Sequence, residues 1–363
     1  MKLNRIIISG GGTGGHIYPA LAIADTLRQR SPEIQILFIG AYGKMEMEKV
    51  PEAEYPIRGL WIDGLHRKHF FRNILFPVKL IVSVLHSFFY FIRYRPQFVI
   101  GTGGFASGPM VFVASLLGTP SLIQEQNSFP GITNRLLGRI VNRIAVCYAG
   151  MERFFPKNKL IVTGNPTRKE LRTNLIESQT AKSFFELVPD KKTLVILGGS
   201  LGALKINELI AQKLTYFNSQ GWQVIWQCGK LYYSEYQSKG SPSNKIYPFI
   251  NRMDQLYAAA DLIISRAGAS TIAELTQVGK PVLFIPSPNV AEDHQMKNAR
   301  ALESQNAARV LAEKDLKHHF ETVFESLSSD SDLMRILGQN IRNMARPNAV
   351  EEIVDEIETL AAV

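Results

Sequence analysis

The stretch RIIISGGGTGGHIYPALAIA at residues 5–24 joins a short apolar run to a glycine-rich loop and then to a helical pattern. The stretch TLVILGGSLGA at residues 193–203 repeats the same order in the second half of the chain. A strand, a glycine loop and a helix in succession are typical of the first βα unit of a doubly wound sheet. Because 363 residues suffice for about two domains, the sequence predicts an α/β fold with two Rossmann-like, doubly wound parallel-sheet domains.

The rest of the chain alternates short apolar runs with segments of helical period, which is typical of parallel βαβ units. Strands are predicted in the first half at residues 5–9, 34–39, 98–101, 121–124 and 160–163. In the second half they are predicted at 193–197, 223–227, 262–265, 281–285 and 308–311. The turn residues at 164–167 mark a boundary, so we predict domains over residues 1–166 and 167–341.

The composition and charge narrow the class of protein. A chain that is 45% hydrophobic and 20% charged is neither disordered nor a coiled coil, and two cysteines are too few for a disulfide framework. The apolar run at 6–8 is too short for a secretory signal core, so none is expected. The net charge is +9, and residues 1–166 carry the whole excess, with 19 basic and 9 acidic residues. A basic half can meet nucleic acid, an anionic membrane or an anionic substrate.

Residues 74–92 are nearly all apolar over the length of a membrane span. Polar side chains recur every three to four positions within them, so we predict a mostly buried amphipathic helix packed on the sheet. An interfacial membrane helix and a spanning helix remain the alternatives. The preceding flank, LHRKHFFR at 65–72, is either a solvated loop or a patch for anionic lipid headgroups. No nucleic-acid fold signature accompanies it, so nucleic acid is not an expected partner.

The first glycine loop, at residues 10–15, follows a strand and opens a helix. Its backbone amides and the helix N-terminus favour an anionic, oxygen-rich ligand. The loop matches G-x-G-x-x-G, but residues 38–41 read FIGA where a dinucleotide site requires an acidic residue. The sequence therefore argues against NAD.

The second glycine loop, GGSLG at 198–202, also matches the G-x-S-x-G elbow of serine hydrolases. Asp293 and His294 follow Ser200 in the chain order that a hydrolase triad needs. The competing interpretation is a second phosphate cradle, because the loop repeats the setting of the first.

A third loop, SRAGAST at 265–271, leads into a helix that carries Glu274. A carboxylate there can accept hydrogen bonds from both hydroxyls of a ribose, and the alternative is a carboxylate that complements the dipole in a helix first turn. No group of His, Cys or carboxylate residues has zinc spacing. The cluster Asp330-Ser331-Asp332 is interpreted as a helix cap rather than as a metal site.

Seven motifs together resemble the MurG family of bacterial N-acetylglucosaminyltransferases. They run in order over nearly 290 residues. They are GGTGGHIYPALAIA (11–24), GTGGFASGP (101–109), QEQNSFPGITN (124–134), TGNPTR (163–168), GGSLGA (198–203), SRAGASTIAE (265–274) and DHQMKNA (293–299). The resemblance implies a GT-B fold, with two Rossmann-like domains facing a cleft and a tail helix, 342–363, returning to the first domain.

The resemblance also implies the reaction. N-acetylglucosamine would pass from UDP-N-acetylglucosamine to the 4-hydroxyl of undecaprenyl-linked lipid I, giving lipid II for peptidoglycan. The transfer would invert the anomeric carbon and need neither a metal nor a cofactor. The enzyme would be peripheral on the cytoplasmic face of the inner membrane, in contact with anionic lipids and with the cell-division or elongation machinery. The alternatives are another nucleotide-sugar transferase and a non-enzymatic nucleotide-sugar sensor.

The family motifs imply the site residues. His16 is expected to be the general base, with Glu125 as the second candidate. The donor contacts are expected to be Thr13, Gly14, Gly15, Asn127, Arg168, Ser200, Ile250, Ala269, Ser270, Thr271, Ile272, Ala273, Glu274 and Gln295. The membrane-facing residues are expected to be Arg67, Lys68, Phe70, Phe71, Arg72 and Phe76. Two positions depart from the family pattern, Gln124 where His is expected and Phe105 where Tyr is expected.

Overall fold

The computed structural model describes residues 3–64, 74–167, 171, 176–199, 201–290 and 293–362. The chain divides into two compact units. Unit 1 comprises Met1–Thr167 and Arg346–Val363, and unit 2 comprises Arg168–Ala345. The resemblance implies that the first domain faces the acceptor and the membrane and that the second binds the UDP-sugar, and both assignments stay predictions.

Unit 1 contains a seven-stranded parallel sheet with the order β3-β2-β1-β4-β5-β6-β7. Its strands are β1 (Arg5–Gly10), β2 (Gln35–Ala41), β3 (Ile57–Leu60), β4 (Phe98–Gly103), β5 (Ser121–Glu125), β6 (Arg143–Val146) and β7 (Leu160–Val162). The five predicted strands are confirmed, whereas the four-residue strands β3 and β6 were not predicted. Adjacent side chains of β1 enter opposite cores, because Ile6 and Ile8 pack on one face of the sheet and Ile7 on the other.

Helices cover both faces of this sheet. They are α1 (Gly14–Arg30), α2 (Glu46–Glu52), α3 (Phe76–Tyr94), α4 (Ser107–Leu116), α5 (Ile132–Leu137) and, from the end of the chain, α14 (Ala349–Ala362). The tail helix α14 packs on the same face as α1, where Ile353 and Ile357 are fully buried. Arg30 holds it there through ion pairs with Asp355 and Glu358.

The prediction that the apolar segment 74–92 is mostly buried is wrong. It forms α3, but only Ser83, Ser87 and Phe91 of its nineteen residues are buried. The polar stripe faces inward because its side chains find hydrogen-bond and ion-pair partners on that side. Ser83 Oγ donates to the Trp61 carbonyl at 3.1 Å, and Lys79 forms an ion pair with Asp63. The apolar side chains face outward instead, and those exposed are Ile74, Leu75, Val78, Leu80, Ile81, Leu85, Phe88, Phe89 and Ile92. Among the described residues, α3 is also the one helix with the length and apolar character to cross a membrane.

Unit 2 contains a six-stranded parallel sheet with the order β10-β9-β8-β11-β12-β13. Its strands are β8 (Lys192–Leu197), β9 (Trp222–Gln227), β10 (Asn244–Tyr247), β11 (Leu262–Ser265), β12 (Val282–Phe284) and β13 (Arg309–Val310). Its helices are α6 (Ser178–Phe184), α7 (Leu204–Ser219), α8 (Tyr233–Tyr236), α9 (Met253–Ala259), α10 (Ala269–Val278), α11 (His294–Glu303), α12 (Leu316–Ser328) and α13 (Ser331–Asn343). The predicted cap of α13 is confirmed, since the Asp330 carboxylate accepts from the Leu333 N–H at 2.8 Å.

Both units reverse their strand order at one point, which is where doubly wound sheets bind ligands. In unit 1 the reversal lies between β1 and β4, and in unit 2 between β8 and β11. The loops that leave these four strands at their carboxyl ends carry the four glycine-containing motifs of the sequence. The fold therefore places two glycine motifs together in each unit.

Candidate active site

The two glycine motifs of unit 1 contact each other through their backbones. The Gly11 N–H donates to the Gly103 carbonyl at 3.3 Å. Gly104 has a left-handed φ of +79°, and a Cβ there would lie 2.3 Å from the Gly11 carbonyl oxygen. A side chain at Gly104 would therefore separate the loops, which explains why this position is glycine.

His16 lies in the first turn of α1, beside both loops. Its Nδ1 is 2.9 Å from the Gly11 carbonyl oxygen and 3.2 Å from Thr13 Oγ1. Because a carbonyl oxygen only accepts, Nδ1 carries the proton in this bond, and in the neutral imidazole Nε2 is then the basic nitrogen. Nε2 faces the other loop, at residues 101–109, since a Cβ at Gly103 would lie 3.1 Å from it. The general-base role of His16 stays a prediction, and the geometry that bears on it is this anchored imidazole beside two loops.

Glu46, the first residue of α2, holds the first glycine loop from beneath. One oxygen of its buried carboxylate accepts from the Gly12 N–H at 2.9 Å, and the other from the Ala41 N–H at 3.0 Å. Gly11 has no room for a side chain, because a Cβ there would meet Glu46 Oε1. The N–H groups of Gly11 and Gly12 thus donate to acceptors within the protein, the Gly103 carbonyl and the Glu46 carboxylate. The amides of Thr13, Gly14 and Gly15 lie at the N-terminus of α1, where intrahelical acceptors are lacking.

Glu125, the second candidate base, lies at the end of β5 and is only 2% exposed. Its carboxylate accepts from the Asn127 N–H at 3.0 Å, the Gly131 N–H at 3.2 Å and Asn134 Nδ2 at 2.9 Å. Burial raises the pKa of the Glu125 carboxyl, and these hydrogen bonds oppose that rise. Both oxygens are thus bonded to the loop that carries Asn127, and the role of Glu125 as second candidate base stays a prediction.

Gln124 occupies the place where the family pattern has His. Its side chain is fully buried, with Nε2 donating to Asn165 Oδ1 at 2.9 Å and Oε1 bonded to Gln126 Nε2. Gln126 in turn donates to the Thr102 carbonyl at 2.7 Å. Gln124 is therefore accommodated in a buried amide network next to the loop at residues 101–109.

In unit 2, Gln227 at the end of β9 joins two predicted donor segments. Its Nε2 donates to the Gly199 carbonyl at 3.3 Å, and its Oε1 accepts from the Ile250 N–H at 2.9 Å. The Ile250 side chain belongs to the core and is 5% exposed, so only its backbone is available to a ligand. Sequence reasoning missed Gln227, because no local motif links it to either segment.

The N-terminus of α10 presents the third glycine motif. Ser270 and Thr271 are half-buried in its first turn, while Ala269, Ile272 and Ala273 are buried by packing. Glu274 follows one turn later, and its Oε2 accepts from the Tyr257 hydroxyl at 2.9 Å. Tyr257 is a second residue that sequence reasoning missed, since α9 lies seventeen positions earlier. The Tyr257 hydroxyl restricts the rotamer of the Glu274 carboxylate, which is the group expected to face the ribose.

Gln295 lies in the first turn of α11, and its Oε1 accepts from the Ser287 N–H at 2.9 Å. Phe76, expected to face the membrane, begins α3 and is half-buried. The remaining predicted site residues lie outside the described part of the chain. They are Arg168, Ser200, Arg67, Lys68, Phe70, Phe71 and Arg72. Within the described part, no group of three or more His, Cys, Asp or Glu residues could hold a metal ion.

The chain matches two protein-family models. Residues 6–146 match the glycosyltransferase family 28 N-terminal domain, and residues 193–355 match the glycosyltransferase family 28 C-terminal domain.

Relatives match over nearly the full length. A protein of Flavobacterium psychrophilum is 53% identical over 98% of both chains, and one of Parabacteroides distasonis is 47% identical over 98% of both. Both are named UDP-N-acetylglucosamine–N-acetylmuramyl-(pentapeptide) pyrophosphoryl-undecaprenol N-acetylglucosamine transferase.

Solved structures agree with the fold. The crystal structure of Acinetobacter baumannii MurG is 27% identical, with a TM-score of 0.76 over 98% of this chain and 99% of that one. The calicheamicin glycosyltransferase CalG4 is 14% identical with a TM-score of 0.72 over 100% and 99% of the two chains, and that likeness concerns the fold alone. The serine-hydrolase and sensor interpretations are set aside by these matches. The chain belongs to glycosyltransferase family 28 and, within it, to the MurG family of GT-B transferases with two Rossmann-like domains.

Proposed function

We propose that this enzyme transfers N-acetylglucosamine from UDP-N-acetylglucosamine to the 4-hydroxyl of undecaprenyl-diphospho-muramoyl-pentapeptide, or lipid I, giving lipid II. These substrates are proposed because the chain is 53% identical, over 98% of its length, to a transferase whose name contains both of them. The His16 geometry supports the chemistry, since it combines an anchored imidazole with two glycine loops.

The donor is assigned mainly to unit 2. Glu274 accepts hydrogen bonds from the ribose hydroxyls while Tyr257 holds its other side. The diphosphate meets the N-terminus of α10 and the loop around Ser200, where backbone amides stabilise negative charge. The other proposed donor contacts are Arg168, Ile250, Gln295 and, from unit 1, Thr13, Gly14, Gly15 and Asn127.

In the proposed mechanism, His16 Nε2 removes the proton of the muramoyl 4-hydroxyl as its oxygen attacks the anomeric carbon. The bond from that carbon to the diphosphate oxygen breaks on the opposite face, so the configuration inverts and UDP leaves. The charge on UDP is met by backbone amides and by the Ser200 hydroxyl, without a metal ion. Glu125 positions the Asn127 loop rather than moving a proton.

We also place the enzyme at the cytoplasmic face of the inner membrane, bound through α3. The outward face of α3 is apolar along its whole length, and the neighbouring helices extend it with Phe112 and Leu116 on α4 and Leu136 on α5. An apolar area of this extent on a water-facing surface is typical of membrane or partner contact. Anionic lipid is the proposed partner, and association with the cell-division or elongation machinery stays a prediction.

The test is transfer of radiolabelled N-acetylglucosamine from its UDP donor to a short-chain lipid I analogue, with EDTA present. Labelled lipid-linked disaccharide is the expected product. A muramoyl acceptor that lacks the 4-hydroxyl is the matched control and must stay unlabelled. Absence of transfer while calorimetry still detects donor binding would contradict the proposed acceptor, and transfer that requires an added divalent cation would contradict metal independence.

A further inference from the structure

A groove of about 550 Å³ lies in unit 2, at the end of the sheet opposite the glycine loops. Asp261 and Lys280 line it, just before β11 and β12 begin, whereas the glycine motifs follow the carboxyl ends of the parallel strands. The helix α13 and the Gly279 turn that ends α10 complete the lining. None of the predicted donor contacts lines this groove.

The helix α13 presents two arginines to the groove. Arg335 and Arg342 are seven positions apart, which puts them on one face of the helix. The helix lies close to the end of α10, because a Cβ at Gly338 would lie 2.7 Å from the Gly279 carbonyl oxygen. A Cβ at Gly279 would lie 3.0 Å from Arg342 Cβ, so the stem of this arginine packs on the turn. Arg342 therefore adjoins the part of the groove where Lys280 follows Gly279.

Lys280 is half-buried, and no hydrogen bond or ion pair joins its ammonium to another group in the described part of the chain. The Asp261 carboxylate nearby is already engaged, since its Oδ2 accepts from Lys182 Nζ at 2.8 Å and from the Thr193 N–H at 2.7 Å. Burial lowers the pKa of the Lys280 ammonium, Asp261 opposes that shift, and Lys182 adds to it. A half-buried cation without a carboxylate partner is costly, and a bound anion relieves that cost.

The groove carries an excess of positive charge. Arg342 forms no ion pair within the described ranges, and Arg335 has an exposed contact of 3.3 Å with Asp332, a kind of pair that contributes little. A helix C-terminus favours nearby cations, which accounts in part for Lys280 at the end of α10. It does not account for Arg335, which lies about 10 Å further along α13 than Arg342.

We propose that this groove binds a small molecule that carries a diphosphate. Lys280 and Arg342 bind one phosphate group and Arg335 binds the other, since a guanidinium offers paired N–H donors to phosphate oxygens. Two phosphate groups match two cationic positions along α13, and the volume of the groove suits a small molecule. Pyrophosphate and nucleoside diphosphates share this chemistry. The inference does not depend on the proposed function, because the groove and the glycine loops lie at opposite ends of the unit 2 sheet.

The test follows Lys280 itself in the full-length protein. An amine-acetylating reagent is applied briefly, and peptide mass spectrometry gives the acetylation rate of each lysine. Saturating pyrophosphate is expected to slow acetylation of Lys280 at least about fivefold, because a bound anion covers the amine and favours its protonated form. Lys317, exposed on α12, is the internal control, and sodium chloride at the same ionic strength is the salt control. Unchanged acetylation of Lys280, equal protection of both lysines or equal protection by chloride would overturn the proposal.

A variant places the ligand beside α13. Arg342→Gln keeps Lys280 as the reporter, and its protection is expected to need at least about tenfold more pyrophosphate, because a charge-assisted contact is lost. The matched control Lys239→Gln removes an exposed charge elsewhere in unit 2 and should change that concentration by less than about twofold. Equal effects of the two variants would contradict a site at this groove.

Repeating the titration with UDP separates the two sources of diphosphate. Protection of Lys280 by both compounds, each weakened by Arg342→Gln, means that the diphosphate is recognised wherever it comes from. Protection by pyrophosphate alone restricts the ligand to the free anion. Protection by UDP alone would overturn the proposal, since the uridine would then be the recognised group. If transfer to lipid I fails, the proposed function fails, and this labelling still decides the groove.

A purely structural role of Lys280, as a cation that caps α10, gives a different result. In buffer without phosphate, Lys280→Met is expected to keep or raise the Tm, because it removes a half-buried charge. Pyrophosphate at about 100 times its Kd is expected to raise the Tm of the wild type by about 3–6 °C and to leave that of Lys280→Met unchanged. A lower Tm of Lys280→Met with an undiminished response to pyrophosphate would show that Lys280 only caps the helix.

Discussion

At the scale of the residue, the imidazole of His16 can act as a base, or it can hold the first glycine loop in place. Its Nδ1 does a structural task, because the bond to the Gly11 carbonyl ties α1 to the first loop. Its Nε2 faces the loop at residues 101–109 and is the nitrogen to which the proposed base chemistry is assigned. The two nitrogens can be separated by substitution.

The variant His16→Asn keeps an amide N–H near the position of Nδ1 and removes the base. We expect the donor Kd to stay within about threefold and kcat to fall on the order of a hundredfold or more, which is the usual contribution of a general base. Donor calorimetry and initial rates measure the two quantities. Near-normal turnover in His16→Asn, with a loss in His16→Ala, would make His16 a positioning residue.

Tyr257 gives the second prediction at this scale. Tyr257→Phe removes only the hydroxyl that bonds to Glu274, so the carboxylate gains rotamer freedom that donor binding must then remove. We expect the donor KM to rise about 3–10-fold, corresponding to one net hydrogen bond, with kcat little changed. Tyr216→Phe is the control, because it removes a similar 2.9 Å bond to Glu325 elsewhere in unit 2. Equal effects of the two variants would refute the positioning role.

At the scale of the element, α2 is short, and its first residue supports the first glycine loop. Glu46 offers one carboxylate oxygen to Gly12 and the other to Ala41, so both oxygens are needed. In Glu46→Gln one of them becomes an NH₂ group that faces a backbone N–H. We expect stability to urea to fall by about 1–3 kcal/mol, because a buried donor loses its acceptor.

The same variant should lower kcat by a larger factor than it raises the donor KM, because the Gly11 carbonyl of the distorted loop anchors His16. Glu48→Gln on the same helix is the control, since Glu48 belongs to the same turn and is not one of the loop acceptors. Unchanged turnover in Glu46→Gln would show that the first loop keeps its geometry without this support.

The sequence predicted elements wherever the signal was local. The strand–loop–helix units around Gly12 and Gly199 are encoded by contiguous residues, and the structure confirms those strands. The orientation of α3 could not be predicted in this way. The stripe of polar residues was recognised, but which face is buried depends on Trp61 and Asp63, which precede the helix. The role of Glu46 as a support of the first glycine loop was not predicted for a related reason. Glu46 lies 34 positions from Gly12, whose N–H it accepts.

At the scale of the whole molecule, charge and apolar surface divide between the two faces of the unit 1 sheet. The tail helix α14 carries five acidic residues and no basic one, and it packs with α1 on one face. Part of that charge is neutralised by Arg30 and Arg143. The helices α3 and α4 cover the opposite face, where the exposed apolar side chains and the exposed Arg93 lie. The membrane is therefore expected to meet the α3 face.

This division predicts two components of vesicle binding that salt can separate. Raising NaCl from about 0.1 M to about 1 M shortens the screening length from about 10 Å to about 3 Å, so the cationic contribution should be largely lost. The apolar contribution of α3 should persist or strengthen, because salt does not weaken hydrophobic burial. We expect affinity for vesicles containing phosphatidylglycerol to fall at least about tenfold, toward a value close to that for pure phosphatidylcholine, whose own affinity changes little. Flotation of the wild-type protein at several salt concentrations measures both curves. Salt-independent binding to anionic vesicles would mean that the basic residues of unit 1 serve the substrate and not the membrane.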